Sequence, residues 1–308
     1  STAHPIWRQI LGLVAAVGLA GVVLIRPAER AIAAAALAMA ASLTMCISIS
    51  KATSEQLPDG RLKTPNNLAY ITTSHLEASS EESWRPDGTM GMAMNLMRNG
   101  YLTLALPEIT PQRLERAAIV VCVGPQREFT PAECEMIQRF VDNGGIFILT
   151  AGYDCHEAAE PLLKTFGFYI GNRPDELGNP PPAPDPMGHF KSPYINLGDY
   201  MPHVRFHAAW PIGFLGKDMA ASNVRIIANG PKNLPVMMAR QFGKGTFVLV
   251  GDTGFVMNKN LEWEDGRPFD GMRENADFWR WFLTDLTDQP RWIPPRQIPV
   301  TQPAGGGQ

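Results

Sequence analysis

The sequence holds four cysteines, no Cys-x-x-Cys pair and no long run of basic residues. Cys46, Cys122, Cys134 and Cys155 are irregularly spaced, which excludes a disulfide framework and a structural zinc site. With 27 Lys and Arg against 30 Asp and Glu, the net charge is −3. That balance leaves no electrostatic footprint for nucleic acid. Gly243-Lys-Gly245 lacks the upstream glycine spacing of a phosphate-binding loop, and a strand rather than a helix follows it, so nucleotide hydrolysis is not indicated. His203 and His207 flank Val-Arg-Phe in a proline-rich region rather than forming an HExxH helix. No metal and no cofactor is expected.

Charge is also missing from two long segments, residues 9–25 and 31–50. The first, extended by Ile6 and Trp7, reaches about twenty residues, enough to cross about 30 Å of hydrocarbon. Trp7 and Arg8 stand where an interfacial anchor belongs. Arg26-Pro-Ala-Glu-Arg30 then turns the chain, and the second segment is again about one bilayer long. A cleaved signal peptide fits less well, since no small-residue cleavage site is evident and a second span follows at once. Buried core helices would carry some charge over such lengths. Residues 1–50 therefore read as a transmembrane helical hairpin. The second span is rich in alanine (Ala31, Ala33, Ala34, Ala35, Ala36, Ala38, Ala40 and Ala41), which suits close packing against other integral membrane helices. Arg8, Lys51, Arg61 and Lys63 flank the hairpin and Arg26 and Arg30 occupy its turn, so the charge rule leaves open which side the following domain occupies.

Residues 51–66 read as a linker around Pro58, Asp59-Gly60 and Pro65. Beyond it, strand and helix alternate. Strands are expected at Leu68–Thr73, Tyr101–Leu106, Ala117–Val123 and Gly145–Thr150, the last two apolar enough to be buried on both faces. Between them, Gly91–Arg98 forms a helix closed by Asn99-Gly100, with Met90, Met92, Met94 and Met97 filling core gaps. Thr130-Pro-Ala-Glu133 is a capping box opening a helix that ends at Asn143-Gly144. Glu157–Phe166 is another helix, stopped by Gly167. The alternation predicts an α/β fold, a mostly parallel sheet flanked by helices. Residues 172–203, with prolines 180, 181, 182, 184 and 186, read as a long inserted loop, a lid or a docking surface. Strands return at Val224–Ala228, Val236–Arg240 and Thr246–Val250, the last two a hairpin through Phe242-Gly-Lys-Gly245. An amphipathic helix at Arg273–Leu286 closes a domain spanning 67–288. The Pro/Gly-rich tail 289–308 reads as an extended or disordered segment.

Several segments taken in order carry a resemblance. They are Thr73-Ser-His-Leu-Glu77, Asn99-Gly-Tyr-Leu-Thr-Leu104, Phe129-Thr-Pro-Ala-Glu133, Phe140-Val-Asp-Asn-Gly-Gly-Ile-Phe-Ile148, Gly243-Lys-Gly-Thr-Phe-Val-Leu-Val-Gly-Asp252 and Arg273-Glu-Asn275. This order, over about residues 66–286, resembles the class I glutamine amidotransferase-like domains of bacterial membrane proteins. Among these are the DUF4350 family and the GldG-type auxiliary proteins of ABC transporters. The resemblance implies a flavodoxin-like or amidotransferase-like fold, placement beside membrane helices of a bacterial cytoplasmic membrane on the extracytoplasmic side, and frequent loss of catalysis.

An active amidotransferase of this kind carries its cysteine on a Gly-x-Cys-x-Gly turn between strand and helix. Cys155 stands near that place with His156 beside it, but Asp154 and His156 replace the glycines, and no downstream His-x-Glu pair matches. Cys155 is thus the candidate nucleophile of an alternative reading as a hydrolase or amidotransferase, against a plain loop residue. His75 and Glu77 follow the first strand and Asp252 follows another, where ligands gather in open α/β sheets. They are candidate ligand-binding residues of a sensor, against a role in capping turns. The leading expectation is a non-catalytic accessory subunit of a larger membrane complex. Its partners would be the lipid bilayer, other integral membrane subunits through the alanine-rich span, and proteins docked on the proline-rich loop and tail.

Overall fold

The computed structural model describes residues 38–48, 67–79, 85–172, 185–216, 218–261 and 272–287. The chain divides into two compact units, Ser1–Pro58 and Asp59–Gln308.

Of the first unit only residues 38–48 are described, and they are helical, with every residue exposed. Met39, Leu43, Met45 and Ile47 project outward. The two hydroxyls turn back onto their own helix, Ser42 Oγ donating to Ala38 O at 2.9 Å and Thr44 Oγ1 to Ala40 O at 2.8 Å. No helix among the described residues is long and apolar enough to cross a membrane. The rest of the expected hairpin lies outside the described residues, as do the linker up to residue 66 and the tail.

The second unit is built on a seven-stranded sheet. Its strands are β1 (Leu68–Thr72), β2 (Leu102–Leu106), β3 (Ile119–Val123), β4 (Ile146–Thr150), β9 (Val224–Asn229), β10 (Pro235–Phe242) and β11 (Gly245–Val250). They lie in the order β2-β1-β3-β4-β11-β10-β9. The first five are parallel, and β10 runs antiparallel between β11 and β9 at the far side. The apolar runs of β3 and β4 are central and wholly buried, as strands covered on both faces must be. The strand at 102–106 is instead the half-exposed parallel edge.

Helices cover both faces. On one side lie α2 (Pro111–Leu114), α3 (Pro131–Asp142) and α4 (His156–Phe166), packing Leu114, Ile137, Phe140, Leu162 and Phe166 against Phe147, Leu149 and Phe247. On the other lie α1 (Met90–Arg98), α5 (Asn258–Leu261) and α6 (Met272–Thr287), packing Leu96, Phe278, Trp279 and Phe282 against Ile148, Val248 and Phe255. The capping box forms as expected: Thr130 Oγ1 accepts from Glu133 N, and Glu133 Oε2 accepts from Thr130 N. Gly167, at φ +76°, closes α4 in the left-handed conformation that a side chain would strain.

Two expectations need correction. Among the four methionines on α1, only Met92 is fully buried, and Met97 is 48% exposed, because the helix turns its 97 position away from the sheet. The stretch 172–203 is not a loop throughout. Residues 173–184 lie outside the described set, but β6 (Phe190–Pro193) pairs antiparallel with β7 (His203–Phe206), and β5 (Phe168–Ile170) pairs with β8 (Ile212–Phe214). The β6–β7 hairpin is fastened to α6: Arg205 N donates to Asn275 Oδ1 at 2.7 Å, Asn275 Nδ2 donates to Arg205 O at 3.1 Å, and Arg205 pairs with Glu274. An insertion with its own strands is thus a packed layer over the second core.

Candidate functional site

Ligand sites of open α/β sheets lie past the carboxyl ends of the strands, where neighbouring connections part to opposite faces. Here the connections after β1 and β3 part in this way, and the loops after β4 and β11 complete the rim.

After β1 the chain turns sharply. Glu77 accepts from Ser74 N at 3.1 Å and His75 N at 2.9 Å, so both its oxygens are spent on the turn. Leu76 sits at φ +51°, 73% exposed at the tip. This geometry drives His75 inward until none of it is exposed. Its ring lies on Phe129 at 4.0 Å between centroids. Arg127 Nη2 donates to Nε2 at 3.2 Å, which places the imidazole hydrogen on Nδ1, donating to Ser74 Oγ at 2.8 Å. His75 O accepts from both Gln126 N and Arg127 N at 2.9 Å. Arg127 in turn binds Glu133 at 2.7 Å. The loops after β1 and β3 are therefore interlocked, and the crevice between them is filled by the protein itself.

Electrostatics follow from this packing. Burial lowers His75 below its ordinary value, outweighing the nearby Glu133 carboxylate, so the ring is neutral. Burial works to raise Glu133, yet the hydrogen bonds from Arg127 and from the Thr130 N–H and hydroxyl hold it down to about 2. His75 is a neutral ring beside an ion pair, its Nε2 3.2 Å from Arg127 and 3.6 Å from Glu133.

Cys155 closes the 3₁₀ turn Tyr153–Cys155 ahead of α4. Its Sγ lies 3.5 Å from Gly152 O and 3.7 Å from Thr253 Oγ1. Thr253 is the knot of this corner: its Oγ1 accepts from Gly152 N at 2.7 Å and donates to Asp154 Oδ1 at 2.9 Å. Burial pushes the Cys155 thiol up to about 12. His156 faces away, its Nδ1 on Tyr153 O and its ring stacked on Tyr153 at 4.1 Å. Among the described residues no base meets the sulfur. A thiol so placed lacks the thiolate, the base and the exposure that nucleophilic cysteines have.

Asp252 is fully buried, and its carboxylate is taken up by backbone. Oδ2 accepts from His207 N at 3.1 Å and Ala208 N at 3.2 Å, and Oδ1 accepts from Gly254 N at 3.0 Å. It pins the connection between β7 and β8. The structure thus brings His75 and Glu77 together in one turn but directs Asp252 to a different loop. The expected three-residue polar pocket is not assembled. His203 heads β7, and the His207 ring lies edge-on to His189 at 4.8 Å. No group of three metal-ligating side chains is found among the described residues.

Arg127, Phe129, Glu133 and Thr253 complete these clusters and were not named as site residues from the sequence. Glu133 carried a signal, the capping box, but that pattern speaks only of helix α3. A half-open cleft of about 700 Å³ does exist at the rim, lined by Ile71, Thr73, Glu77, Thr89, Ala93 and Thr103, on the outer side of β1.

The fold and these strand ends define a three-layer α/β domain with its switch crevice closed. No family of known sequences and no curated protein matches this chain. Among solved structures, the N-terminal domain of mmIFT52 is similar over 71% of this chain and 97% of its own, at 16% identity and a TM-score of 0.53. That likeness speaks to the fold alone. An exo-β-1,4-mannosidase from Opitutaceae bacterium strain TAV5 (10% identity, TM-score 0.43) overlaps 71% of this chain but only 36% of its own length. A putative ThuA-like protein from Bacteroides uniformis (12% identity, TM-score 0.37) overlaps 73% of this chain and 93% of its own. None of these bears the amidotransferase-like name that the sequence resemblance suggests.

Proposed function

We propose that this chain is a non-catalytic accessory subunit of a membrane protein complex, with a degenerate amidotransferase-like domain serving as a docking module. The observation that carries this reading is the state of the strand ends. His75 is locked neutral beneath Arg127 and Glu133, and Cys155 is buried, protonated and without a base. Two further features support it. The helix at 38–48 presents apolar side chains outward and folds its hydroxyls back on itself, as helices among other helices or lipid do. Within the insertion, the β6–β7 hairpin is fastened to α6, which favours a docking surface. By the sequence resemblance, the setting is a bacterial cytoplasmic membrane with the domain outside the cytoplasm.

The test is activity-independent. Iodoacetamide at neutral pH is expected to leave Cys155 of the native chain unmodified and to alkylate it only in denaturant. Cys155→Ala is expected to retain assembly of the complex. Rapid native labelling of Cys155, with loss of function in Cys155→Ala, would favour the hydrolase reading instead.

A further inference from the structure

A second cleft, of about 660 Å³, lies away from His75, Cys155 and Asp252, none of which lines it. Its floor is the C-terminal end of α1 and one face of α6, and its wall is the tip of the β6–β7 hairpin. Arg273 and Arg280 are seven residues apart on α6, two helical turns, and so share a face. Arg98, itself partnered, lines the cleft from α1. The acids here are largely engaged. Glu274 is paired with Arg205 and lies 3.7 Å from Lys191. Asp277 accepts from Tyr194 Oη at 3.5 Å. Arg273 and Arg280 are exposed and have no carboxylate partner among the described residues. Arg273 and Arg280 thus offer two exposed guanidinium groups in a cleft whose own carboxylates, Glu274 and Asp277, are engaged elsewhere.

The wall is apolar and preformed. Leu197 and Tyr200 exchange backbone hydrogen bonds at 3.0 and 3.3 Å around Gly198, at φ +69°. That tight tip holds out Leu197 at 46% and Met201 at 47% exposure. Tyr194 is braced behind it, edge-on to Phe278 at 5.1 Å and tilted on Trp281 at 5.0 Å. Arginine, tyrosine and methionine are the residues enriched at the centres of protein interfaces, and the planar guanidinium fork matches a carboxylate.

We infer that this cleft is where the module docks an acidic segment of a partner protein, its carboxylates on Arg273 and Arg280 and an apolar or aromatic side chain against Tyr200 and Met201. The inference rests on the docking reading above and supplies its surface. Charge complementarity names the partner's chemistry, and the apolar wall favours a peptide over a bare anion.

The test uses the full chain in detergent micelles and a fluorescein-labelled peptide, Glu-Asp-Glu-Trp-Glu-Asp-Leu, followed by fluorescence anisotropy. Saturable binding is expected, weakened about tenfold or more in Arg273→Ala/Arg280→Ala and weakening steeply with added salt. Both arginines are exposed, so the variant should melt at the wild-type temperature; Arg280→Glu provides a second, independent loss. Equal binding by wild type and both variants, or equal affinity for the peptide with lysine in place of its acids, overturns the groove. So does an outcome in which only phosphatidylglycerol vesicles, and not the peptide, bind in an arginine-dependent way. Failure of the groove leaves the native complex assembled. Failure of the docking reading appears differently, as a chain that migrates alone in a gentle detergent extract.

Discussion

His75 is a histidine in the position of a ligand and in the state of a core residue. Its neutral form is selected by burial, and that selection has a sign. Because its folded value is lowered from the ordinary 6.5, the unfolded chain binds the proton first as pH falls. Stability is therefore complete above about 6.5 and declines below it. His207, also lowered by burial, adds to the same decline. Glu133, held at about 2 against an ordinary 4.5, adds a second loss between those values. Melting temperature against pH should thus fall in two stages, and His75→Gln combined with His207→Gln should flatten the upper stage while leaving the lower one. An unchanged upper stage in that double variant would mean that neither ring is the group responsible. Glu133→Ala should cost about 2–3 kcal/mol in denaturant unfolding, since it strips Arg127 and the cap together. Thr130→Ala should cost only about 1 kcal/mol, the value of a cap alone.

At the scale of elements, Asp252 shows how a carboxylate at a strand end can be structural. Asp252→Ala would leave three backbone N–H groups without their acceptor, and should destabilise the domain by about 2–4 kcal/mol. A loss below about 0.5 kcal/mol would show the carboxylate to be dispensable to the fold and restore it as a ligand candidate. Much of this architecture was legible before the structure. The apolar runs of β3 and β4, the capping box of α3, the Gly167 stop and the Phe242–Gly245 hairpin each follow from a local rule, and local rules survive folding. What was not legible is short and held by distant contacts. The strands β6, β7 and β8 have three or four residues each, and β7 is fastened by Asn275 some seventy residues away. The site divides in the same way. His75 and Glu77 could be named from one loop, while Arg127 and Glu133 come from another loop and the next helix, with no spacing rule to join them.

At the scale of the whole molecule, the domain combines an α/β sheet whose crevice between β1 and β3 is filled by its own side chains with a second cleft on which Arg273 and Arg280 are exposed. Residues 1–58 form a separate unit, and its described helix carries no charge. If that unit anchors the chain, the protein should remain in the membrane fraction after an alkaline carbonate wash, and release into the supernatant would contradict the anchor. The most direct measurement of the central claim is the mass and composition of the particle extracted from native membranes in gentle detergent, with cross-linked peptides mapped onto this chain. The account predicts integral membrane subunits in fixed stoichiometry, with cross-links on the β6–β7 hairpin and α6. A lone monomer or homodimer whose Cys155 reacts with an activity probe would contradict it.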